Sequence, residues 1–122
     1  MNIKSGIVFI MGMALMQSCY YDNKQDLLTN AGGCDTTSVS FSTTINPVIV
    51  SSCNSCHGGS SPSAGISTEG YTNVKAIVDN GRLWGSVNHE SGYSAMPQGA
   101  SKLESCYLQK LKAWINAGAP NN

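Results

Sequence analysis

Two cysteines and a histidine stand close together in the stretch Cys53-Asn54-Ser55-Cys56-His57. C-x-x-C-H is the spacing of a covalent haem attachment site, in which two thiols add across the two vinyl groups of one porphyrin. The histidine directly after the second cysteine is placed to supply the proximal imidazole to the iron. The motif therefore predicts haem c attached through Cys53 and Cys56, with His57 as an iron ligand.

A candidate second iron ligand lies in the loop at residues 89–100. This segment is mostly polar, yet it contains Met96 followed by Pro97. A thioether is a soft, weak donor that suits haem iron, and a methionine in an irregular segment has little other reason to be buried. Alone, it would be interpreted as an exposed residue in a turn. Its place between the C-x-x-C-H motif and a final helix makes Met96 the leading sixth ligand, with His89 as the competitor.

Two other chemistries use paired cysteines, and the sequence around the motif argues against both. A structural zinc site needs four ligands, whereas Cys53, Cys56 and His57 are crowded together and no second C-x-x-C follows. A thioredoxin-like dithiol would lie near a βαβ pattern, and no such pattern surrounds this motif. Covalent haem is therefore the leading prediction.

The composition limits what else the chain could do. Its 122 residues are enough for one small domain, and seven basic residues balance seven acidic ones, so the formal net charge is zero. A nucleic-acid-binding protein would leave a basic footprint, so we expect no nucleic-acid partner. Aromatic residues make up only 7% of the chain, which predicts a thin core that a buried haem would help to complete.

The beginning of the chain predicts export and membrane attachment. Residues 1–18 combine the positive Lys4 with an apolar run too short to span a bilayer, as in a signal peptide. The run ends in the sequence LMQSC, which resembles a bacterial lipobox and implies lipidation of Cys19; ordinary signal cleavage nearby is the alternative. Residues 19–33 are polar and end in Gly-Gly, as in a tether, which leaves 34–122 as the folded domain.

The segment before the motif predicts a first helix. Ser42 is a plausible N-cap, and Pro47 fits only the first helical turn, so the helix is expected to begin near Asn46. The β-branched run at 48–50 would suit a strand equally well.

A loop rich in Gly, Ser and Pro follows the motif at 58–70. One of its carbonyls, for which Pro62 and Gly65 are the candidates, is expected to accept the ring N–H of His57, because such contacts fix a ligating imidazole. Two short helices are then predicted, at 71–80 and 82–88. In the second, Arg82 and Trp84 are candidates for binding haem carboxylates, although a solvated charge and a core residue are the simpler interpretations.

The clearest helix is predicted at 101–117. Ser101 and Glu104 have the spacing of a capping box, and Gly118 is a candidate for the position that ends the helix. One apolar face is formed by Leu103, Tyr107, Leu111, Trp114 and Ile115.

Together, the C-x-x-C-H motif, Met96-Pro97 and the closing segment SKLESCYLQKLKAWINAGAP resemble the class I cytochrome c domain. The arrangement is also similar to small c-type cytochrome lipoproteins of diderm bacteria, including the ending WINAGAP. The resemblance implies an all-α, cytochrome c-like fold, with N- and C-terminal helices packed around a covalently bound haem, and it favours a helix before the motif. It also implies that Cys53 and Cys56 hold the haem, with His57 proximal and Met96 distal.

Cys34 and Cys106 are not part of the basic cytochrome pattern. In an exported, oxidising setting they could form a disulfide between the chain before the first helix and the last helix. Two separate buried thiols are the alternative.

These observations predict a membrane-anchored, mono-haem electron carrier with His57 and Met96 on the iron, and not an enzyme. We expect export, a lipid anchor in the bacterial cell envelope facing the periplasm or the cell surface, and redox proteins as partners. The alternative is a five-coordinate haem protein, acting as a sensor or a peroxidase-like enzyme, if Met96 does not bind.

Overall fold

A computed structural model describes residues 33–122, of which Cys34–Asn122 form one compact unit. The backbone of these residues forms helices, turns and loops without any β-strand, so the all-α expectation is confirmed for this part of the chain. The predicted signal peptide and Cys19 lie outside the described residues.

The helices follow one another with short connections. A π-helical turn at Phe41–Ile45 leads directly into α1 (Asn46–Ser52), followed by α2 (Asn54–His57), a 3₁₀ turn (Ser63–Gly65), α3 (Gly70–Asp79), α4 (Arg82–Val87) and α5 (Ser105–Asn116). Between residues 33 and 122, no helix is long and apolar enough to cross a membrane.

The first α-helix begins at Asn46, as the position of Pro47 predicted. α1 starts one residue before Pro47, which therefore lies in its first turn. The turn before it is π-helical, with the N–H of Asn46 bonded to the carbonyl of Phe41, so the change of helix type falls next to the residue that lacks an N–H. The prediction of Ser42 as N-cap was wrong, because Ser40 caps the preceding π-helical turn and its hydroxyl accepts from the N–H of Thr43 at 3.3 Å. The β-branched run is helical, since Ile49 is buried against the core and tertiary packing outweighs strand propensity.

The two middle helices lie where the sequence predicted them, within one residue at each end. Val74 on α3 and Leu83 on α4 are both buried. Gly81 joins the helices with a φ of 77°, a left-handed conformation that glycine adopts without strain. With this turn at Gly81, both helices contribute to the same core.

The last helix is shorter than the sequence predicted. α5 begins at Ser105, and residues 101–104 are not helical, so the predicted capping box between Ser101 and Glu104 was wrong. The apolar face was predicted correctly at its centre, because Tyr107, Leu111 and Trp114 are buried. The end was also predicted correctly, since Gly118 follows the cap residue with a φ of 90°.

The core joins the two ends of the compact unit. Phe41 contacts Tyr71 edge-on at a ring distance of 5.2 Å and lies 5.7 Å from the ring of Trp114. The indole N–H of Trp114 donates to the carbonyl of Pro120 at 2.9 Å, which folds the segment after α5 back onto the helix. The buried hydrophobic core comprises Phe41, Ile45, Ile49, Val74, Leu83, Val87, Tyr107, Leu111, Trp114 and Ala119.

The end of the described chain also returns to the first helical turn. The N–H of Phe41 donates to the side-chain oxygen of Asn122 at 2.7 Å, and the N–H of Ser42 donates to its backbone carbonyl at 2.8 Å. A disulfide links Cys34 to Cys106 in the first turn of α5. These contacts hold α5 against the π-helical turn and so fix the helix that leads into the C-x-x-C-H motif.

Candidate haem-binding site

The C-x-x-C-H motif lies on a helical turn at the junction of α1 and α2. The carbonyl of Cys53 accepts from the N–H of Cys56 at 3.1 Å and from that of His57 at 2.9 Å. Because residues three apart on a helical turn share a side, this places the two cysteines next to each other. Cys53 is half-buried, Cys56 is exposed, and both are free thiols.

One cleft brings together three of the four predicted haem-binding residues. Cys53, His57 and Met96 all line a cavity of about 480 Å³, whereas Cys56 is not among its lining residues. This volume lies within the range of small-molecule and cofactor sites. The apolar part of the wall is formed by Ile66, Ile77, Leu83 and Val87.

The His57 ring is held by a backbone carbonyl. Its Nδ1–H donates to the carbonyl of Ile66 at 2.9 Å, so the proton is fixed on Nδ1 and the lone pair of Nε2 is left free for a metal. The candidates from the sequence, Pro62 and Gly65, were wrong. The 3₁₀ turn at Ser63–Gly65 reverses the chain just before Ile66, and this reversal determines which carbonyl faces the ring.

Thr68 ties the same loop to the motif and was missed by the sequence analysis. Its N–H donates to the carbonyl of His57 at 2.9 Å, and its hydroxyl donates to the side-chain oxygen of Asn54 at 2.7 Å. Thr68 is buried, although it lies in a polar loop. A threonine among Gly, Ser and Pro gives no local signal of burial, so only the folded loop shows its role.

Two hydrogen bonds hold the backbone of Met96. Its N–H donates to the carbonyl of Ser86 at 3.0 Å, and its carbonyl accepts from His89 Nε2 at 3.0 Å. Met96 lines the cleft with His57, whereas His89 is not among the lining residues. The two candidates for sixth ligand thus occupy different positions: Met96 lines the cleft, and His89 does not.

The loop that carries Met96 approaches α4 closely at a glycine. A Cβ atom on Gly85 would lie 2.4 Å from Cδ2 of Tyr93, a distance that real side chains do not tolerate. Gly85 is buried, and Tyr93 also lines the cleft. Gly85 therefore lets the Tyr93 ring lie against α4 and close one wall of the site. No sequence pattern singled out this pair.

Charge is sparse in and around the cleft. Arg82 lies at the cleft and is exposed, so its guanidinium is available to a carboxylate bound there. Burial raises the pKa of the Cys53 thiol, which keeps it protonated and lowers its reactivity as a thiolate. Burial likewise raises the pKa of the Tyr107 phenol well above its ordinary value.

A second, larger groove of about 730 Å³ carries none of the motif residues. Trp84 lines it, and the ammonium of Lys112 lies 4.5 Å from the centre of the indole ring, as in a cation–π contact. Trp84 is therefore engaged with α5 and does not line the cleft.

The donor set of the cleft fits a covalently bound haem. The thiol-bearing Cys53, the imidazole of His57 with its Nε2 free, and the thioether-bearing Met96 line one partly apolar cavity, and the second free thiol, on Cys56, follows Cys53 at the attachment spacing. Neither a scan against protein-family models nor searches of curated proteins and of solved structures found a match to this chain.

Proposed function

We propose that this chain is a mono-haem c-type cytochrome that transfers electrons, with a class I cytochrome c-like fold. Haem c would be attached through Cys53 and Cys56, and His57 and Met96 would hold its iron. The observation that carries the proposal is the position of His57 and Met96 on one cleft beside Cys53.

The residues of the cleft would divide the work of holding the cofactor. The cysteines would anchor the porphyrin covalently, while the Ile66 carbonyl keeps the His57 ring in the tautomer that can bind iron. The apolar wall would exclude water, and Arg82 would face a carboxylate of the cofactor. When bound, the haem supplies reversible one-electron redox chemistry.

Iron ligation by both His57 and Met96 would favour electron transfer over catalysis. A Met/His pair raises the reduction potential and leaves no open coordination position for a substrate. The balance of seven basic and seven acidic residues favours transient docking to redox partner proteins, with only weak electrostatic steering.

We further propose that the protein is exported and held at the bacterial cell envelope, facing the periplasm or the cell surface, through lipid on Cys19. The support is the LMQSC sequence after a short apolar run. Mass spectrometry of protein from the membrane fraction would test this, because a Cys19→Ala variant should lose both the lipid mass and the membrane association.

The central test is covalent haem. The full chain should be produced with a haem-attachment system, separated by denaturing electrophoresis and stained for haem, and its intact mass should be measured. We expect a stained band and a mass increment of one haem in the wild type and in Ser55→Ala, which keeps the cysteine spacing. The double variant Cys53→Ala/Cys56→Ala should show neither. A wild-type protein without the increment would overturn the proposal.

The ferric absorption spectrum then separates the two classes of haem protein. A six-coordinate, low-spin spectrum that depends on Met96 supports an electron carrier. A five-coordinate, high-spin spectrum would instead indicate a sensor or a peroxidase-like enzyme.

A further inference from the structure

We propose that His89 is a positioning residue for Met96: its imidazole holds the Met96 carbonyl and thereby orients the thioether toward the iron. This inference rests on the proposed function, since it gives a second histidine a role in holding the sixth ligand. It also assigns His89 a task other than that of a competing ligand.

The geometry consists of three hydrogen bonds around the end of α4. The Nε2–H of His89 donates to the carbonyl of Met96 at 3.0 Å. The carbonyl of Ser86 accepts from the N–H of Met96 at 3.0 Å and from that of His89 at 3.2 Å. The backbones of Met96 and His89 are thus both bonded to the same carbonyl of α4, and the His89 imidazole adds a direct bond between the two residues.

The direction of the first bond follows from its acceptor. A backbone carbonyl only accepts, so Nε2 of His89 carries the proton in this arrangement. A protonated Nε2 has no lone pair to offer a metal. His89 therefore cannot ligate through Nε2 while it holds Met96.

Apart from the packing of Tyr93 on α4, few hydrogen bonds restrain the position of Met96 itself. Residues 90–95 are exposed, and the Met96 backbone bonds only to Ser86 and His89 among the described residues. His89 itself has a φ of 53°, a left-handed conformation that is uncommon for residues other than glycine and is enriched in His, Asn and Asp. From this backbone conformation the imidazole bonds the Met96 carbonyl, so a backbone cost falls on the residue that restrains the proposed ligand.

The expected effect can be given as a change in an equilibrium. A net hydrogen bond contributes about 1 kcal/mol, or roughly fivefold in an equilibrium constant at 25 °C. Without the bond, the equilibrium between Met96 bound to and released from ferric iron should shift roughly fivefold toward release. Because added imidazole competes with Met96 for the iron, its apparent affinity should rise by the same factor.

The test compares three haem-loaded, full-length proteins: the wild type, His89→Ala and His89→Gln. A glutamine amide nitrogen lies as many bonds from the backbone as Nε2 of histidine, so His89→Gln keeps a donor at matched reach. Alanine and glutamine both replace a residue in the left-handed conformation, so the backbone cost of that conformation cancels when His89→Ala is compared with His89→Gln. Imidazole binding is titrated through the ferric spectrum, and the reduction potential is measured in parallel.

We expect imidazole to bind His89→Ala roughly fivefold more tightly than the wild type, with a lower potential, and His89→Gln to restore both values. Equal imidazole affinities in the wild type and His89→Ala would overturn the inference, and so would a His89→Gln variant that binds imidazole as tightly as His89→Ala. Loss of the six-coordinate spectrum in both His89 variants, with no change in Met96→Ala, would overturn it by making His89 the ligand.

Failure of this inference is distinguishable from failure of the proposed function. A wild-type protein that carries no covalent haem would overturn both. A six-coordinate wild type that is indifferent to His89→Ala would overturn only the role of His89.

Discussion

At the residue scale, His57 shows which parts of a ligand site are local and which are not. Its identity as a candidate ligand follows from the adjacent cysteines, because thiol attachment and imidazole ligation depend on residues next to each other in the chain. The carbonyl that orients its ring is nine residues away, at Ile66. Pro62 and Gly65 were equally plausible from the sequence, since only the turn geometry decides which carbonyl reaches Nδ1.

Met96 gives the most direct residue-scale prediction. Met96→Ala should leave haem covalently attached, because the cysteines are unchanged, but it should lower the reduction potential by roughly 100 mV or more, since axial ligands tune haem potentials over about 0.8 V. Redox titration followed by absorbance measures this shift. Ser94→Ala, on the same cleft, is the control and should leave the potential close to that of the wild type. An unchanged spectrum and potential in Met96→Ala would refute ligation.

Tyr107 gives a pH-dependent prediction. Burial raises the pKa of its phenol above the ordinary value of about 10, so above that pH the unfolded chain loses a proton that the folded protein retains. The free energy of unfolding should therefore be unaffected by this group below pH 10. Above pH 10 it should fall as the pH rises, by up to about 1.4 kcal/mol per pH unit.

Denaturant unfolding at several pH values from 8 to about 11 would measure this loss. We expect Tyr107→Phe to have a flatter profile above about pH 10, because it has no phenol to ionise. The same alkaline slope in both proteins would contradict the assignment.

At the scale of elements, the helices were predicted better than their first residues. The stripe of Tyr107, Leu111 and Trp114 is a periodic signal spread over two turns, so it identified α5. The start of that helix rested on two residues, Ser101 and Glu104, whose spacing suits a capping box but whose backbone is not helical. A cap depends on the path of the incoming chain, which the local sequence does not determine.

The loop between α2 and α3 provides one element-scale prediction. Thr68→Val keeps the shape of the side chain but removes the hydroxyl that donates to Asn54, leaving a partly buried acceptor without that bond. We expect a loss of about 1–3 kcal/mol in the free energy of unfolding. Thr72→Val, on the exposed side of α3, is the matched control and should change stability by less than about 0.5 kcal/mol. Equal effects in the two variants, measured by denaturant unfolding, would argue against a specific role for Thr68.

The contact between α4 and the Met96 loop provides a second element-scale prediction. Gly85→Ala would bring a Cβ atom to 2.4 Å from the Tyr93 ring, so we expect it to destabilise the protein by about 1–3 kcal/mol. In the double variant Gly85→Ala/Tyr93→Ala the clash is absent, and the effect of the glycine change should be much smaller. Thermal unfolding of the four proteins of this cycle would measure the coupling. Additive effects would show that the two residues do not interact.

At the scale of the whole molecule, the core and the disulfide connect segments that are distant in sequence. Phe41 packs between Tyr71 and Trp114, and Asn122 binds the backbone beside Phe41. The Cys34–Cys106 disulfide closes a sequence separation of 72 residues around most of the core. With so few aromatic residues, this unit has reason to depend on covalent restraints.

Removing the disulfide tests this dependence. On the chain-entropy account, a crosslink that closes a loop of this length stabilises by about 4 kcal/mol, so Cys34→Ser/Cys106→Ser should lower the free energy of unfolding by roughly that amount. Cys53 and Cys56, the proposed attachment residues, are unchanged in this variant, so covalent haem staining should persist and serves as the control. A loss of stability below about 1 kcal/mol would show that the crosslink adds little.

The sequence by itself determined the chemistry to be expected: an attachment motif, a methionine as candidate ligand and helical stripes, each readable because its residues are close together or periodic. The tertiary structure alone decided which atoms surround them: the Ile66 carbonyl on His57, Thr68 under the motif, Tyr93 against Gly85 and the His89 imidazole on Met96. These contacts depend on how loops turn and which segments meet across the core. Such contacts produce no periodic pattern in the sequence of a loop, because each involves a single residue whose neighbours in the chain take no part in the contact.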